Sequence, residues 1–360
     1  MLTFLIFFVL LFVLIISHEC GHFFTARAFG IRVDEFGFGL PPRIKGIIRK
    51  GTLYSINWLP FGGFVKIHGE EGEDGSDPNS FASKPAWARS LVLLAGVLSN
   101  ILLAYVVLSF LATRGIVEPL SEEEAIDMPD ARIMIVEIAP SSPASATGLL
   151  AGDIVRKIGE IEDDMFVPQT IGEFQKYVQQ NSEKILTLLV ERKDKESVVM
   201  LQPRASPPAG EGLIGVALSW MRTKRVVWYK APIVGATLTY QTITHTVDGF
   251  VDIVRDVFRG EGRDVPVAGP VGIFRIVGDA QHSGFDMVLF LTAILSVNLA
   301  LINILPIPGL DGGRFAFVLA ESITRRRISP HISAVVHGAG LAFLLTLMVA
   351  VTYLDISRIF

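Results

Sequence analysis

Two histidines and a glutamate stand close together near the N-terminus, in the stretch ISHECGH. His18 and His22 are four residues apart, so their imidazoles share one face of a helix, and Glu19 lies about 100° around the same helix. The spacing H-E-x-x-H is typical of sites in which two imidazoles bind zinc and the glutamate acts as a general base. The pattern therefore predicts one zinc ion and a hydrolytic centre, with Cys20 on the far side of the helix.

The segment before these residues, MLTFLIFFVLLFVLI, carries no charge and is suited to lipid. A plainer interpretation is that His18 and His22 are interfacial residues that end a membrane span, with Glu19 paired to Arg27. Ionisable groups within a span are costly and by default indicate function, so we favour the zinc interpretation.

Catalytic zinc needs a third protein ligand and an open position. In the stretch NILPIPGLDGGR, Pro306 and Pro308 predict that a helix ends near Leu305, at membrane depth. Irregular backbone at that depth occurs only inside protein or beside a wet cavity. Asp311 follows the break and is the candidate third ligand. The alternatives are that Asp311 is a helix N-cap and that His337 is the ligand.

Composition indicates a membrane protein, since half of the 360 residues are hydrophobic. The net charge of −4 leaves no basic surplus for nucleic acid, and a single cysteine excludes an internal disulfide framework. Four stretches are long and apolar enough to cross a bilayer of about 30 Å. They are 1–28, 87–112, 285–313 and 334–353. A fifth stretch, 231–247, is uncharged but polar, and we interpret 228–284 as an amphipathic helix on the membrane surface with a linker.

Lysine and arginine are concentrated in the region 29–86 and between the third and fourth spans. By the positive-inside rule these regions are cytoplasmic, and the N-terminus and the segment from about 114 to 284 are outside. The first and third spans then cross in the same direction. His18, His22 and Asp311 can meet at one depth, toward the cytoplasm, only if residues 231–247 do not cross.

The region 29–86 is not helical in its sequence pattern. TLYSINWLPFGGFVKI is rich in β-forming residues with a proline and two glycines at a bend. We expect a β-hairpin that dips toward the zinc and offers an edge to an incoming extended segment.

The chain resembles the bacterial site-2 proteases, zinc metalloproteases that cut inside the membrane. HECGH matches the H-E-x-x-H of that family, and NILPIPGLDGGR matches its N-x-x-P-x-P-x-L-D-G segment. LPFGGFVKIHGE (59–70) is similar to its membrane-reentrant β-loop, and AGPVGI (268–273) to an element before its third span. The chain departs from the family pattern after Gly96, where a proline is expected, and at Arg314, where histidine is common.

The resemblance implies that His18, His22 and Asp311 bind one zinc and that Glu19 is the base. It also implies a set of substrate-binding residues: Asn303, Gly62, Gly63, Phe64 and Asn100. The partners would be membrane lipids and single-span membrane proteins already trimmed on the outer side. The location would be the bacterial cytoplasmic (inner) membrane, and the role regulated intramembrane proteolysis or clearance of signal peptides.

The stretch VEIAPSSPASATGLLAGDIVRKIGE (136–160) resembles the start of a PDZ domain of the bacterial protease type. We expect this domain over 128–219, with a helix at 171–180 and strands at 185–191, 198–202 and 212–218. PDZ domains take peptides by adding a strand to a sheet edge. The alternative is a β-rich domain without a ligand.

The predicted fold is a polytopic α-helical membrane protein with four transmembrane helices, a membrane-reentrant β-loop and an extracytoplasmic PDZ-like α+β domain. Two other functions stay open, a PDZ-bearing membrane scaffold with a structural zinc and a metal transporter. A structural zinc has no need of Glu19, and a transporter needs ligands along a path across the membrane, of which the spans supply few.

Overall fold

The computed structural model describes residues 1–70, 76–161, 164–192, 195–208, 210–259 and 269–357. The chain divides into two compact units. Unit 1 combines Met1–Leu111 with Tyr229–Phe360, and unit 2 is Ala112–Trp228. Unit 2 therefore extends on both sides of the predicted domain at 128–219.

Helices supply most of unit 1, and unit 2 contains three short ones. In chain order they are α1 (Leu2–Ala28), α2 (Ala86–Arg114), α3 (Glu122–Ile126), α4 (Pro143–Ala146), α5 (Ile171–Gln180), α6 (Ala231–Arg259), α7 (Pro270–Ser283), α8 (Phe285–Ile304), α9 (Asp311–Thr324) and α10 (Pro330–Ser357). A 3₁₀ turn at Phe81–Ser83 precedes α2.

Strands form one sheet in each unit. In chain order they are β1 (Val33–Arg49), β2 (Thr52–Ile67), β3 (Ile116–Leu120), β4 (Arg132–Ile138), β5 (Ile154–Gly159), β6 (Met165–Phe166), β7 (Leu186–Arg192), β8 (Lys195–Leu201) and β9 (Val216–Lys224).

Among the described helices, four are long and apolar enough to cross a membrane, namely α1, α2, α8 and α10. Each is 20 residues or longer, and a span needs about 20. This confirms the expected four apolar helices of span length among the described residues, and it is consistent with a polytopic membrane protein. Helix α6, which contains the fifth candidate stretch, is not among them.

Small residues bring α1 and α2 into close contact. A Cβ added to Gly21 would lie 2.2 Å from the carbonyl oxygen of Ala95 and 2.9 Å from the Cβ of Ser99. One turn earlier, Ser99 Oγ donates a hydrogen bond of 2.7 Å to the carbonyl of Ser17. Glycine, alanine and serine at such a crossing let two helix backbones approach and bond directly.

The sheet of unit 1 is more folded than the predicted hairpin. Residues 35–38 of β1 pair with 53–56 of β2 on one side and with 63–66 on the other. Residues 43–49 then pair with 52–57. The two long strands thus form four antiparallel segments, and the outer edges are 43–49 and 63–67. The edge segment 63–67 adjoins the HExxH motif, because a Cβ added to Gly63 would lie 3.3 Å from Glu19 Cγ.

The third apolar helix ends where the two prolines predict. Helix α8 stops at Ile304, and Leu305 has extended φ and ψ. Gly309 has a φ of +96°, a conformation that favours glycine, and α9 begins at Asp311. The chain therefore bends sharply between the apolar span and the residue predicted to bind zinc.

The predicted surface segment at 228–284 contains two helices, α6 and α7. The first half of α6 packs against α2 and α8 through Leu238 and Ile243. Further along α6, Val247, Phe250, Val251, Val254 and Phe258 are exposed. Helix α7 packs against α1. The backbone amide of Gly272 on α7 donates a hydrogen bond to the carboxylate of Asp355 on α10. Ala268, the first residue of AGPVGI, lies outside the described residues.

Unit 2 is an antiparallel sheet with strand order β3-β9-β4-β5-β7-β8, and β6 pairs with β5. Its core contains Ile135, Ile158, Phe174, Leu186 and Leu188, all 2% exposed or less. The predicted helix at 171–180 matches α5. The strand predicted at 212–218 instead covers 216–224, because Gly215 has a φ of +74° and interrupts the extended backbone.

Candidate metal centre

Three predicted ligands converge on one point. His18 Nε2 and His22 Nε2 lie 3.2 Å apart, and Asp311 Oδ2 lies 2.9 Å from the first and 3.1 Å from the second. Ligand atoms around a tetrahedral zinc are about 3.3 Å apart. Within the part of the chain that the structure describes, this is the one group of three such side chains that could hold a metal ion. Two nitrogens and a carboxylate oxygen suit zinc.

The backbone of α2 fixes the orientation of one imidazole. His22 Nδ1 lies 2.8 Å from the carbonyl oxygen of Val92 and can only donate to it. A neutral imidazole that donates from Nδ1 keeps its lone pair on Nε2, which is the nitrogen that faces His18 and Asp311. The tautomer that this contact requires is the one that binds metal.

The other imidazole contacts a buried amide on α2. Asn100 is fully buried, its Nδ2 lies 3.4 Å from His18 Nδ1, and its Oδ1 has no hydrogen-bond partner among the described residues. The two ends of an amide are assigned from their hydrogen bonds. With the amide turned by 180°, Oδ1 accepts from His18 Nδ1–H, and the lone pair on His18 Nε2 is free for a metal. The unpaired Oδ1 of Asn100 is therefore consistent with a site in which His18 Nε2 binds a metal ion.

Gly96 leaves the space that these imidazoles occupy. A Cβ at this position would lie 2.3 Å from His22 Nε2 and 2.8 Å from His18 Nε2. The glycine thus forms one wall of the metal centre, and any larger residue would displace the ligand atoms. The sequence motif did not identify Gly96 as a site residue.

Glu19 lies beside the ligands without a partner of its own. Its side chain forms no hydrogen bond or ion pair with any described residue, and Arg27 instead lies over the ring of Phe23. The alternative in which Glu19 pairs with Arg27 is therefore not what the structure contains. A Cβ on Gly63 would lie 3.3 Å from Glu19 Cγ, so the sheet edge reaches the side chain of Glu19.

The turn that carries Asp311 is held from two sides. His337 Nδ1 on α10 accepts a hydrogen bond of 3.1 Å from the Gly309 amide, and Arg314 donates to the carboxylate of Glu70. His337 is therefore a support of the turn and not the third ligand.

Asp311 is the first residue of α9, whereas the N-cap is Leu310, so Asp311 is not the cap either. Burial raises the pKa of the Glu70 carboxyl, and Arg314 opposes that shift.

The predicted substrate-binding residues fall into three places. Gly62, with a φ of +95°, and Gly63 and Phe64 lie on the edge segment of β2. Asn303 is half-buried on the last turn of α8, and its side chain forms no hydrogen bond with any of the described residues. Asn100 lies against His18, so its position favours support of a ligand over contact with substrate.

Four features of the site were not identified from the sequence. They are the Val92 carbonyl, Gly96, the support from His337 and the Glu70–Arg314 ion pair. Each depends on how segments far apart in the sequence pack together, which no local spacing reveals: α2 against α1 for the first two, α10 against the turn at Gly309 for His337, and the chain after β2 against α9 for the ion pair. The departures from the family pattern after Gly96 and at Arg314 were the available signals.

Comparison with known proteins bears on this arrangement. The family model described as peptidase family M50 matches residues 6–347. The chain belongs to peptidase family M50.

Relatives that align along most of their length have names in keeping with the family. A protein of Fusobacterium nucleatum, named as a candidate zinc metalloprotease, is 30% identical over 100% of both chains. A protein of Nostoc sp. with the same kind of name is 33% identical, and the alignment covers 93% of this chain and 90% of that protein. The regulator of sigma-W protease RasP of Bacillus subtilis is 26% identical over 96% of both chains.

Family membership establishes the class of enzyme. The protein is a zinc metalloprotease of the site-2 type, and its four apolar helices make it a multi-pass membrane protein of bacterial type.

Proposed function

We propose that this enzyme hydrolyses peptide bonds within or near the transmembrane segment of single-span membrane proteins, with zinc held by His18, His22 and Asp311. The observation that supports this most strongly is the convergence of three ligand atoms within 3.2 Å of one another beside an unpaired glutamate. A scaffold with a structural zinc would have no use for that free carboxylate.

The chemistry needs a base, an acid and a polarised carbonyl. Zinc, when bound, supplies Lewis acidity that polarises a carbonyl and makes water more acidic. The Glu19 carboxylate accepts a proton from the attacking water and then donates it to the amide nitrogen as the C–N bond breaks. Val92 and Asn100 hold the two imidazoles in the tautomer that binds metal. Asp311 adds a negative charge that balances the cation.

The edge of β2 is suited to receive the substrate. Its residues 63–66 pair with β1 on one side only, and the turn at Gly62 and Gly63 adjoins Glu19. A substrate helix that unwinds for hydrolysis must find new partners for its amides. A strand added at this membrane-reentrant edge would satisfy them and lie beside the base. Asn303, with a free amide, would bind a further part of the substrate backbone.

The orientation and the role of unit 2 belong to the same proposal. The positively charged residues of the loop 29–86 favour a cytoplasmic position for that loop, which would leave the N-terminus outside and the zinc toward the cytoplasmic side of the bacterial inner membrane. Unit 2 is then an extracytoplasmic, PDZ-like domain inserted between the second and third spans. It would select substrates that another protease has already trimmed outside. The role would be regulated intramembrane proteolysis, or clearance of signal peptides.

The test is cleavage of a single-span protein by the full-length enzyme in lipid vesicles. We expect mass spectrometry of the fragments to locate the cut inside or next to the apolar segment. A zinc chelator and the variant Glu19→Gln should each abolish it. A cut confined to soluble flanking sequence, or one that persists in Glu19→Gln, would refute the proposal.

The role of unit 2 is tested with full-length and pre-trimmed forms of one substrate. A variant that lacks residues 115–228, which removes unit 2 beyond the end of α2, should cut both forms, whereas the complete enzyme should cut only the trimmed form. If the shortened enzyme retains zinc and still refuses the full-length form, unit 2 is not the selecting element.

A further inference from the structure

A cleft with three basic side chains lies where the first apolar helix ends. It is open, has a volume of about 700 Å³, and is formed by the C-terminal part of α1 and the edge segment 43–49 with the following turn. Arg27 of α1, Arg49 at the end of β1 and Lys50 in the following turn all line it. None of these three cations forms an ion pair with a residue that the structure describes.

The position of the cleft is an interface of the bilayer. Arg27 is the first lysine or arginine of the chain, after a run of apolar helix long enough to span the membrane. Basic residues that follow a span at once lie at the level of the lipid headgroups, whichever way the protein is oriented.

The walls of the cleft are apolar and aromatic. Phe23, Phe24, Ile47 and Tyr54 line it together with the basic residues. Ile47 and Arg49 are two residues apart on one strand, so they share a face of the sheet. The site thus combines a cationic rim with a surface suited to acyl chains.

The edge segment itself is also suited to lipid. Ile44, Ile47 and Ile48 are 57%, 65% and 75% exposed, and the same segment carries Arg43, Lys45 and Arg49. A strand edge with exposed isoleucines would be an aggregation hazard in water. Inserted at a membrane surface, the isoleucines contact acyl chains and the basic side chains reach phosphates.

We propose that this cleft binds the headgroup of an anionic phospholipid, with Arg27, Arg49 and Lys50 around the phosphate and Ile47 against the acyl chains. Charge complementarity carries the assignment, since three unpaired cations meet at a surface whose natural ligands are lipid phosphates. The bound lipid joins α1 to the sheet whose opposite edge reaches Glu19. This proposal concerns a surface separate from the metal centre and does not depend on the cleavage reaction.

The test measures binding of a fluorescent phosphatidylglycerol to the full-length protein in detergent micelles. Each basic side chain at such a surface strengthens binding about fivefold. The double variant Arg49→Gln/Lys50→Gln should therefore bind about 25-fold more weakly. Arg49→Lys keeps the charge and should bind within about twofold of the wild type. The control Lys230→Gln/Arg259→Gln removes the same charge from exposed positions of unit 1 outside the cleft and should leave binding unchanged.

Competitors identify the ligand class. Unlabelled phosphatidylglycerol should displace the probe, and phosphatidylcholine, inorganic phosphate and a hexaglutamate peptide should not. Equal loss in both double variants, or none in Arg49→Gln/Lys50→Gln, would overturn the proposal. Displacement by inorganic phosphate would assign the cleft to a free anion, and displacement by hexaglutamate to an acidic protein segment. Either result would equally reject the lipid. Zinc content measured on the same samples reports whether the variants are folded.

Discussion

The variant Gly96→Ala adds one methyl group to the wall of the metal centre. That methyl carbon would lie 2.3 Å from His22 Nε2, 2.6 Å from His18 Cε1 and 2.8 Å from His18 Nε2. Unstrained contact requires about 3.5 Å, so His22 Nε2 would have to move by about 1.2 Å. Metal sites tolerate deviations of about 0.2 Å in ligand distance.

Helix α2 cannot simply move away to relieve this clash. Its backbone touches α1 at Gly21 and Ala95 and is bonded to it through Ser17 and Ser99. We therefore expect Gly96→Ala to weaken zinc binding by at least about 100-fold, more than loss of a supporting hydrogen bond would. Stability should change little, because overpacking costs about 1–3 kcal/mol and alanine favours helix by about 1 kcal/mol.

The assay equilibrates the solubilised full-length protein with a graded zinc chelator and measures bound zinc. The matched control is Gly338→Ala on α10, where an added Cβ meets nothing within 4 Å. Circular dichroism shows whether both variants are helical. Zinc affinity of Gly96→Ala within threefold of the wild type would refute the packing argument, because the ligands would then not be where the structure places them.

Two further predictions concern buried polar contacts. Asn100→Leu should weaken zinc binding by about 10–100-fold, because His18 Nδ1–H loses its acceptor. Asn100→Asp keeps an acceptor and should retain most of the affinity for zinc. Equal zinc affinity in the two variants, with only cleavage impaired in both, would instead assign Asn100 to the substrate. In unit 2, Arg192 donates two hydrogen bonds of 2.6 Å to Asp153, which raises the pKa of the guanidinium, and the Asp153 side chain is 1% exposed. Asp153→Ala should destabilise unit 2 by about 3 kcal/mol, seen as faster proteolysis of this unit in the full-length protein, whereas Lys184→Ala, which removes an exposed ion pair with Glu160, should have an effect below about 1 kcal/mol. Equal proteolysis rates in these two variants would contradict the assigned role of Asp153.

Features that rest on local chemistry could be predicted from the sequence. The spacing of His18 and His22 fixes a shared helix face, and two prolines end α8 before Asp311 whatever surrounds them. The four apolar helices followed from length and hydropathy alone. The proximity of His18, His22 and Asp311 was predicted from the number of membrane spans between them, because the first and third spans cross in the same direction.

Features that rest on packing between distant segments could not be predicted. The pairing of residues 35–38 with two different parts of β2 needs a bend whose partners lie up to 31 residues away. The importance of Gly96 depends on the depth at which α2 crosses α1. His337 looked like a reserve ligand because histidine is a common one, and only the approach of α10 to Gly309 makes it a support.

The most direct test of the account is zinc content measured beside cleavage in two variants, Glu19→Gln and Asp311→Asn. Both changes replace a carboxylate by an amide of the same size, so packing is preserved. We predict that Glu19→Gln retains one zinc per chain and cuts nothing, because only the base is lost. Asp311→Asn should lose both zinc and cleavage, because a ligand is lost. Full zinc occupancy in Asp311→Asn, or normal cleavage by Glu19→Gln, would contradict the assignment of this site.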